Sequence, residues 1–368
     1  MYILDRQNQI YETDFSFLIT NLLESFAYFY VKIFVVMDTT ASSAIIEDQN
    51  KLKHPSKEER SELYQNWLEN GPKISFSGHE LNLELDSIDE FFIQKAKDEL
   101  RETPEIVAES CRELLQLIAG EPYLNIPTEE EFLQIFLRPC KYYPKSAFSL
   151  MKRYFRFRQN YPHIYVDLLP SKEKTALCAN LVYPLPFRAK DGSRIVVIEG
   201  GKRWNPKEVS PNAFFKGLII MLYIAMGEPK TQIAGGQVIL DVEGLSLSHV
   251  TYLSPSFAKM MVDFIQKCLP LRLKHIHIVK QSFFFNMAFA IFKPFLEEKI
   301  RKRIHFHGTN WENLSTFIDK KALLKRHGGE LEMPDGPFGV KLWQSITICD
   351  PIFEIDQRCG YKTDNNVK

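Results

Sequence analysis

After Leu168 the chain changes its period. Short β-rich runs at 195–198, 238–241, 275–279 and 304–306 are separated by long helical stretches at 211–226, 255–267 and 282–302. Strands that alternate with helices of this length require crossover connections, which build a largely parallel sheet covered by helices. Asp191-Gly192 supplies the turn into the first run. Upstream, residues 87–160 carry helical signals. Ser87-Ile88-Asp89-Glu90 has the capping-box pattern. Thr103-Pro104 opens the next helix, which Gly120 stops. Thr128 precedes EFLQIFL as a further cap, and Pro144 opens KSAFSLMKRYFRFRQNY. Residues 73–85 alternate enough to be extended. The expected fold class is α/β, an all-helical N-terminal bundle followed by an α/β domain.

Composition decides three further points. Lys plus Arg and Asp plus Glu balance at 46 each, so no global field favours nucleic acid and any electrostatic partner must meet a local patch. The six cysteines (Cys111, Cys140, Cys178, Cys268, Cys349, Cys359) lack CxxC spacing and read as reduced thiols of a cytoplasmic protein. Residues 16–37 are membrane-like but interrupted by Asn21, Glu24 and Lys32. They fit a poor transmembrane anchor, an amphipathic or packed helix, or a mis-assigned start. The last is favoured because Met37 opens a polar leader. The expected organisation is a doubtful extension over 1–36, a polar leader over 37–86, a helical domain over 87–165, an α/β domain over 166–330, and a tail over 331–368.

The stretch 268–308 carries two opposed features. FFFNMAFAIF (283–292) is apolar around nearly its whole circumference except at Asn286. Such a helix is buried on all sides or covers something apolar that is not protein. Pro294 then breaks it. Around it stand eight cations (Arg272, Lys274, Lys280, Lys293, Lys299, Arg301, Lys302, Arg303) against two acids, Glu297 and Glu298. Taken singly, an apolar helix is usually core and a charge run usually a solvated face. Side by side they suit a surface that touches an anionic bilayer, where each Lys or Arg contributes roughly 1 kcal/mol.

Other chemistry is weaker. His275/His277 and His305/His307 each place two imidazoles on one face of a strand. That spacing could serve zinc, but no Asp, Glu or Cys with ligand spacing joins them, so packing is favoured and no metal is expected. Gly200-Gly201-Lys202 lacks the remainder of a phosphate-binding loop. No Gly-x-Ser-x-Gly elbow occurs. No catalytic residue and no cofactor are expected.

Several motifs, in order, carry a family resemblance: ELRETPE (99–105), FLRPCK (136–141), DVEGLSLSHV (241–250), LPLRLKHIHIVKQ (269–281), FKPFLEEKIRKRIHFHG (292–308) and His327-Gly328-Gly329. Together they resemble the CRAL-TRIO family, in the branch of the cellular retinaldehyde-binding and α-tocopherol transfer proteins, as found in insects. The resemblance implies a helical bundle followed by a lipid-binding α/β domain, whose cavity lies under a mobile gate, here 282–303. It implies a phosphoinositide-binding cleft formed by Arg272, Lys274, Lys299 and Arg303. Cys140 stands where the branch carries an arginine, with Lys141 beside it as the candidate replacement. Cavity and gate positions would include Phe215, Leu218, Leu222, Phe264, Phe284, Met287, Phe289, Ile291 and Phe295. The function implied is that of a soluble, non-enzymatic, monomeric carrier of a hydrophobic lipid-like ligand such as a tocopherol or retinoid. It would work in the cytoplasm and peripherally at phosphoinositide-containing membranes. A phosphoinositide-binding trafficking adaptor of the clavesin type is the alternative.

Overall fold

The computed structural model describes residues 73–82, 84 and 88–362, with isolated positions between 62 and 70. The membrane-like stretch 16–37, Ser87 and the leader up to residue 61 lie outside the described residues. From Lys53 onward the chain forms one compact unit.

The sheet has five strands, β1 (Val182–Arg188), β2 (Arg194–Glu199), β3 (Gly236–Asp241), β4 (Leu273–Val279) and β5 (Ile304–Gly308), lying side by side in chain order. β1 is antiparallel to β2, and the remaining pairs are parallel. The four anticipated runs are thus strands, each at most two residues longer at either end. β1 escaped the sequence pattern because Pro184 and Pro186 interrupt it, and proline is confined to edge strands. A monotonic strand order with right-handed crossovers sends every connecting helix to the same face of the sheet. Those helices are α5 (Pro211–Met226) and α6 (Pro229–Ala234) before β3, α7 (Pro255–Asp263) before β4, and α8 (Phe283–Phe292) before β5. A π-turn over Phe264–Cys268 finishes α7.

Ahead of the sheet lie α1 (Glu90–Leu100), α2 (Pro104–Ala119), α3 (Glu130–Leu137) and α4 (Pro144–Asn160). Two of their starts differ from the expected ones. Asp89, not Ser87, caps α1 by accepting from Phe92 N–H at 3.2 Å. The N-cap of α3 is Glu129, with no side-chain cap bond, because the helix begins one residue after the position Thr128 could serve. Thr103 caps α2 as anticipated. The helical layer is joined to α6 through Arg138, which donates to Glu102 at 2.7 Å and to Gln232 at 2.5 Å.

The four-residue α9 (Glu298–Arg301) leads into β5, and beyond the sheet lie α10 (Phe338–Thr347) and α11 (Asp350–Asp356). Phe338, Leu342 and Ile346 are buried, and Gly360–Tyr361 pairs with Leu124–Asn125. The tail over 331–368 is therefore partly built into the core. Residues 73–82 form a two-residue ladder, Ser75–Phe76 with His79–Glu80, that buries Phe76 against Tyr183 and Phe338.

Candidate functional site: a gated apolar face beside a cationic cluster

Register gives the sheet two unlike faces. On the side of the connecting helices the rows read Val196–Val238–Ile276–Ile304 and Ile198–Leu240–Ile278–Phe306. On the other side they read Ile195–Gln237–His275 and Val197–Ile239–His277–His305. Ile195, Val197, Ile239, Gln237 and His277 are fully enclosed on that second face. Val196, Ile198, Val238, Leu240 and Ile276 on the helix side stay only half-buried although helices cover them. Protein cores are close-packed, so the accessible surface these apolar side chains keep sets this face apart from the enclosed one.

Helix α8 closes the β3–β5 end of this face. Phe285 and Ala288 bury into a cluster with Val242, Leu245 and Ile278 that is separate from the main core. Phe284, Met287, Phe289 and Ile291 are half-buried, whereas Phe283, Asn286 and Ala290 face solvent. The chain before α8 and the chain beyond Pro294 are both fastened through main-chain groups. Ser282 Oγ donates to the Leu245 carbonyl at 3.2 Å. Beyond Pro294, Gln266 of the π-turn donates to the Phe295 carbonyl at 3.1 Å and accepts from Glu297 N–H at 2.7 Å. The π-turn thus holds the chain just beyond Pro294, a contact for which its sequence carries no sign. Such turns recur at functional sites.

The anticipated cavity positions fall into three groups. Leu218 and Leu222 of α5, with Val196, Met221, Leu342 and Ile346, line an apolar cavity of about 90 Å³ between the sheet, α5 and α10. Its polar end is the buried Arg194–Glu228 pair. Phe215 and Phe264 instead pack on each other (ring centres 5.6 Å apart) and, through Phe157, on the helical layer. The remaining five (Phe284, Met287, Phe289, Ile291 and Phe295) belong to the gate and its hinge, all half-buried.

The cations also divide. Arg272, Lys274 and Arg303 gather at the N-terminal end of β4. Arg272 donates to the Ile233 carbonyl at 2.5 Å, and Arg303 donates to the Leu273 carbonyl. Lys95 and Glu99 of α1, about 175 residues earlier, complete the group. Glu99 Oε2 accepts from Arg272 at 2.5 Å and from Lys274 at 3.1 Å, while Oε1 accepts from Lys95 at 2.6 Å. Burial raises the Glu99 pKa, but the bonds from Lys95, Arg272 and Lys274 overcome it and hold the carboxyl at about 2. Lys299 is exposed on α9, which ends at Arg301, so Arg303 lies just past the end of that helix. Lys299 and Arg153 are the charges that bear on Cys140. Lys141 is exposed next to that cysteine in a left-handed conformation, φ 53°.

The histidines occupy the face away from the gate and spend their nitrogens on each other. His275 Nδ1 meets His305 Nε2 at 2.9 Å, and His277 Nδ1 meets His307 Nε2 at 3.0 Å. His277 Nε2 turns to the Gln237 amide oxygen at 2.9 Å, and Phe317 packs across the rings. Among the described residues no group of three or more His, Cys, Asp or Glu is arranged to hold a metal. Burial, then the neighbouring imidazoles, pushes His277 down to about 3. Unfolding therefore takes up protons. The stabilising contribution is complete above about pH 6.5 and falls as pH drops toward 3, by up to about 1.4 kcal/mol per pH unit for this residue. We expect the urea midpoint to decline from pH 6.5 to 5, a window above the titration of the carboxylates, and to decline less in His277→Gln. A wild-type midpoint that stays flat over that window would show that the ladder does not take up protons on unfolding.

A largely parallel sheet with its crossover helices between the strands, an apolar helix broken at Pro294 and a preceding helical layer are the frame of a CRAL-TRIO protein, and the chain belongs to that family. The CRAL/TRIO domain matches residues 180–329. The protein named alpha-tocopherol transfer protein-like from Mus musculus is 31% identical over 263 residues, 71% of this chain and 75% of that protein. Its namesake from Homo sapiens is 29% identical over 285 residues, 74% and 82% of the two chains. Clavesin-1 from Mus musculus is 28% identical over 254 residues, 68% and 70%. Among solved structures, Sfh5 aligns loosely, with a TM-score of 0.39 and 14% identity over 67% of this chain and 89% of that one.

Proposed function

We propose that this protein is a carrier of a hydrophobic, lipid-like molecule, held between the sheet and its helices and exchanged at membranes that display phosphorylated headgroups. The observation that carries this reading is the half-accessible apolar face of the sheet on the helix side, with an apolar cavity of about 90 Å³ beside α5. A long-chain ligand loses roughly 0.8 kcal/mol per CH₂ exposed to water, so a cavity that substitutes for the bilayer speeds its passage between membranes. The names of the tocopherol transfer protein-like relatives support a tocopherol-like cargo.

Binding rather than catalysis also suits the thiols. Burial first, in each case, raises Cys111, Cys140 and Cys268 to about 11 and Cys349 to about 12, so these cysteines stay protonated and are poor nucleophiles. Membrane contact suits the gate surroundings. Phe283, Phe306, Leu247 and Tyr252 are exposed large apolar side chains, and no helix among the described residues is long and apolar enough to cross a membrane. In this reading docking is peripheral and cytoplasmic, with Arg272, Lys274, Arg303, Lys299 and Lys141 toward the anionic surface.

The test is transfer of a fluorescent tocopherol between vesicles with and without phosphatidylinositol 4,5-bisphosphate. Lys274→Ala combined with Lys299→Ala removes two ammoniums that donate to no main-chain group, and so spares the fold. We expect near-normal loading and transfer to phosphoinositide vesicles slowed at least threefold, with the wild-type rate also falling as salt is raised. Equal rates for both proteins on both vesicle types would remove the cations from the mechanism. Native mass spectrometry that finds no hydrophobic ligand on protein from its own tissue would favour the adaptor reading.

A further inference from the structure

We propose that Glu99 is a built-in counter-ion that occupies the cationic cluster and sets the charge an incoming anion must carry to take its place, so that the site selects headgroups bearing at least two phosphates. The inference rests on the reading of that cluster as a headgroup site.

Helix physics does not account for Glu99. It sits in the last turn of α1, where the helix dipole disfavours an acid. It also lies C-terminal to its i,i+4 partner Lys95, the less favourable order for such a pair. What holds the carboxylate is the far side of the contact. Arg272 and Lys274 arrive from β4, and Lys95 closes on the second oxygen. Three cations thus share one acid, and Arg303 stands beside them. Arg303 feels Arg272 directly.

The cluster does not need Glu99 in order to exist. Arg272 is anchored to the Ile233 carbonyl and Arg303 to the Leu273 carbonyl, so both guanidiniums stay in position when the carboxylate leaves. The carboxylate itself keeps 32% of its surface exposed, so an anion can reach it from solvent. Glu99 behaves as a tethered ligand, and tethering gives it an effective concentration on the order of millimolar or more. A single phosphate offers one fork of charge-assisted hydrogen bonds against that competitor. An anion with two neighbouring phosphates engages the two arginines and the two lysines together, and it alone replaces every contact that Glu99 makes.

The experiment measures binding of the full chain to vesicles containing phosphatidylinositol 4-phosphate or phosphatidylinositol 4,5-bisphosphate. Soluble inositol 1,4,5-trisphosphate serves as competitor. Wild type should prefer the bisphosphate vesicle at least tenfold. Glu99→Gln keeps the shape and removes the charge, so its affinity for the monophosphate vesicle should rise about tenfold and the preference should largely vanish. Glu99→Asp, shorter by one methylene, should fall between them and guards against a folding artefact in the first variant. Competition by the trisphosphate locates the selectivity in the phosphates. Failure to compete, with vesicle binding intact, would overturn the inference by placing selection in the bilayer. Wild-type bisphosphate binding left unchanged or weakened by Glu99→Gln would overturn the counter-ion role alone. No binding of either vesicle by any of the proteins would remove the headgroup site itself.

Discussion

Glu228→Ala should lower the stability of the folded unit by about 3–5 kcal/mol, the cost of breaking a buried ion pair from one side. Glu228 is 3% exposed and holds two guanidiniums, Arg194 at 4% and Arg188 at 11%. Burial raises its pKa, but Arg194 and then Arg188 overcome this and keep the carboxyl ionised. Thr231 donates to the same carboxylate at 2.5 Å, which ties the start of α6 to the near ends of β1 and β2. Without Glu228, Arg188 retains Glu84 and the Gly192 carbonyl, but Arg194 keeps only the Asn82 carbonyl. A buried charge with one neutral partner is the expensive outcome. At about 2 °C per kcal/mol for a domain of this size, Tm should fall by roughly 6–10 °C. Glu228→Gln, which preserves shape and part of the hydrogen bonding, should fall less. The check is calorimetry at pH 7, and a Glu228→Ala Tm within 2 °C of wild type would show that this network contributes little.

Much of this architecture is legible in the sequence because its cues are local. Proline at the first turn of α2, α4, α5, α6 and α7 fixes where those helices begin. The break at Pro294 is equally local, and it divides the gate into α8, a single 3₁₀ turn and the four-residue α9. What escapes is whatever depends on partners distant in the chain. β1 carries two prolines and becomes a strand only because β2 offers an edge. Lys95 and Glu99 look like an ordinary solvated i,i+4 pair until β4 brings Arg272 and Lys274 against them. The partner of Arg303 has the same origin. A helical period would carry on past it, but α9 ends at Arg301 and Arg303 donates to the Leu273 carbonyl. Periodicity reports a helix while it lasts and is silent about where tertiary contacts end it. Cavity walls are the hardest case, because Phe215 and Leu222 share an apolar composition although one is packed core and the other borders open space.

Phe285→Ala should uncouple the gate while leaving the rest of the molecule standing. Phe285 is 4% exposed, stacks on Phe289 with ring centres 5.6 Å apart, and meets the edge of Phe306 at 6.1 Å. Its burial partners Val242, Leu245, Ile278 and Ala288 form a cluster of their own, apart from the core that holds α5, α10 and the helical layer. Truncating a buried phenylalanine costs about 3–5 kcal/mol. That cost falls chiefly on the local equilibrium between closed and open gate, because the main core loses no contact. Sub-global opening of this kind has its own free energy, below that of complete unfolding. With 1.4 kcal/mol per tenfold, a loss of about 3 kcal/mol raises the open population about a hundredfold. Release of a bound fluorescent tocopherol into acceptor vesicles should therefore accelerate by one to two orders of magnitude, while the calorimetric Tm moves by only a few degrees. The two readings must be taken together. Faster release with a nearly unchanged Tm places the barrier in α8. Release at the wild-type rate would show that cargo leaves by another route, and a Tm that collapses along with retention would show that the small cluster is not an independent unit.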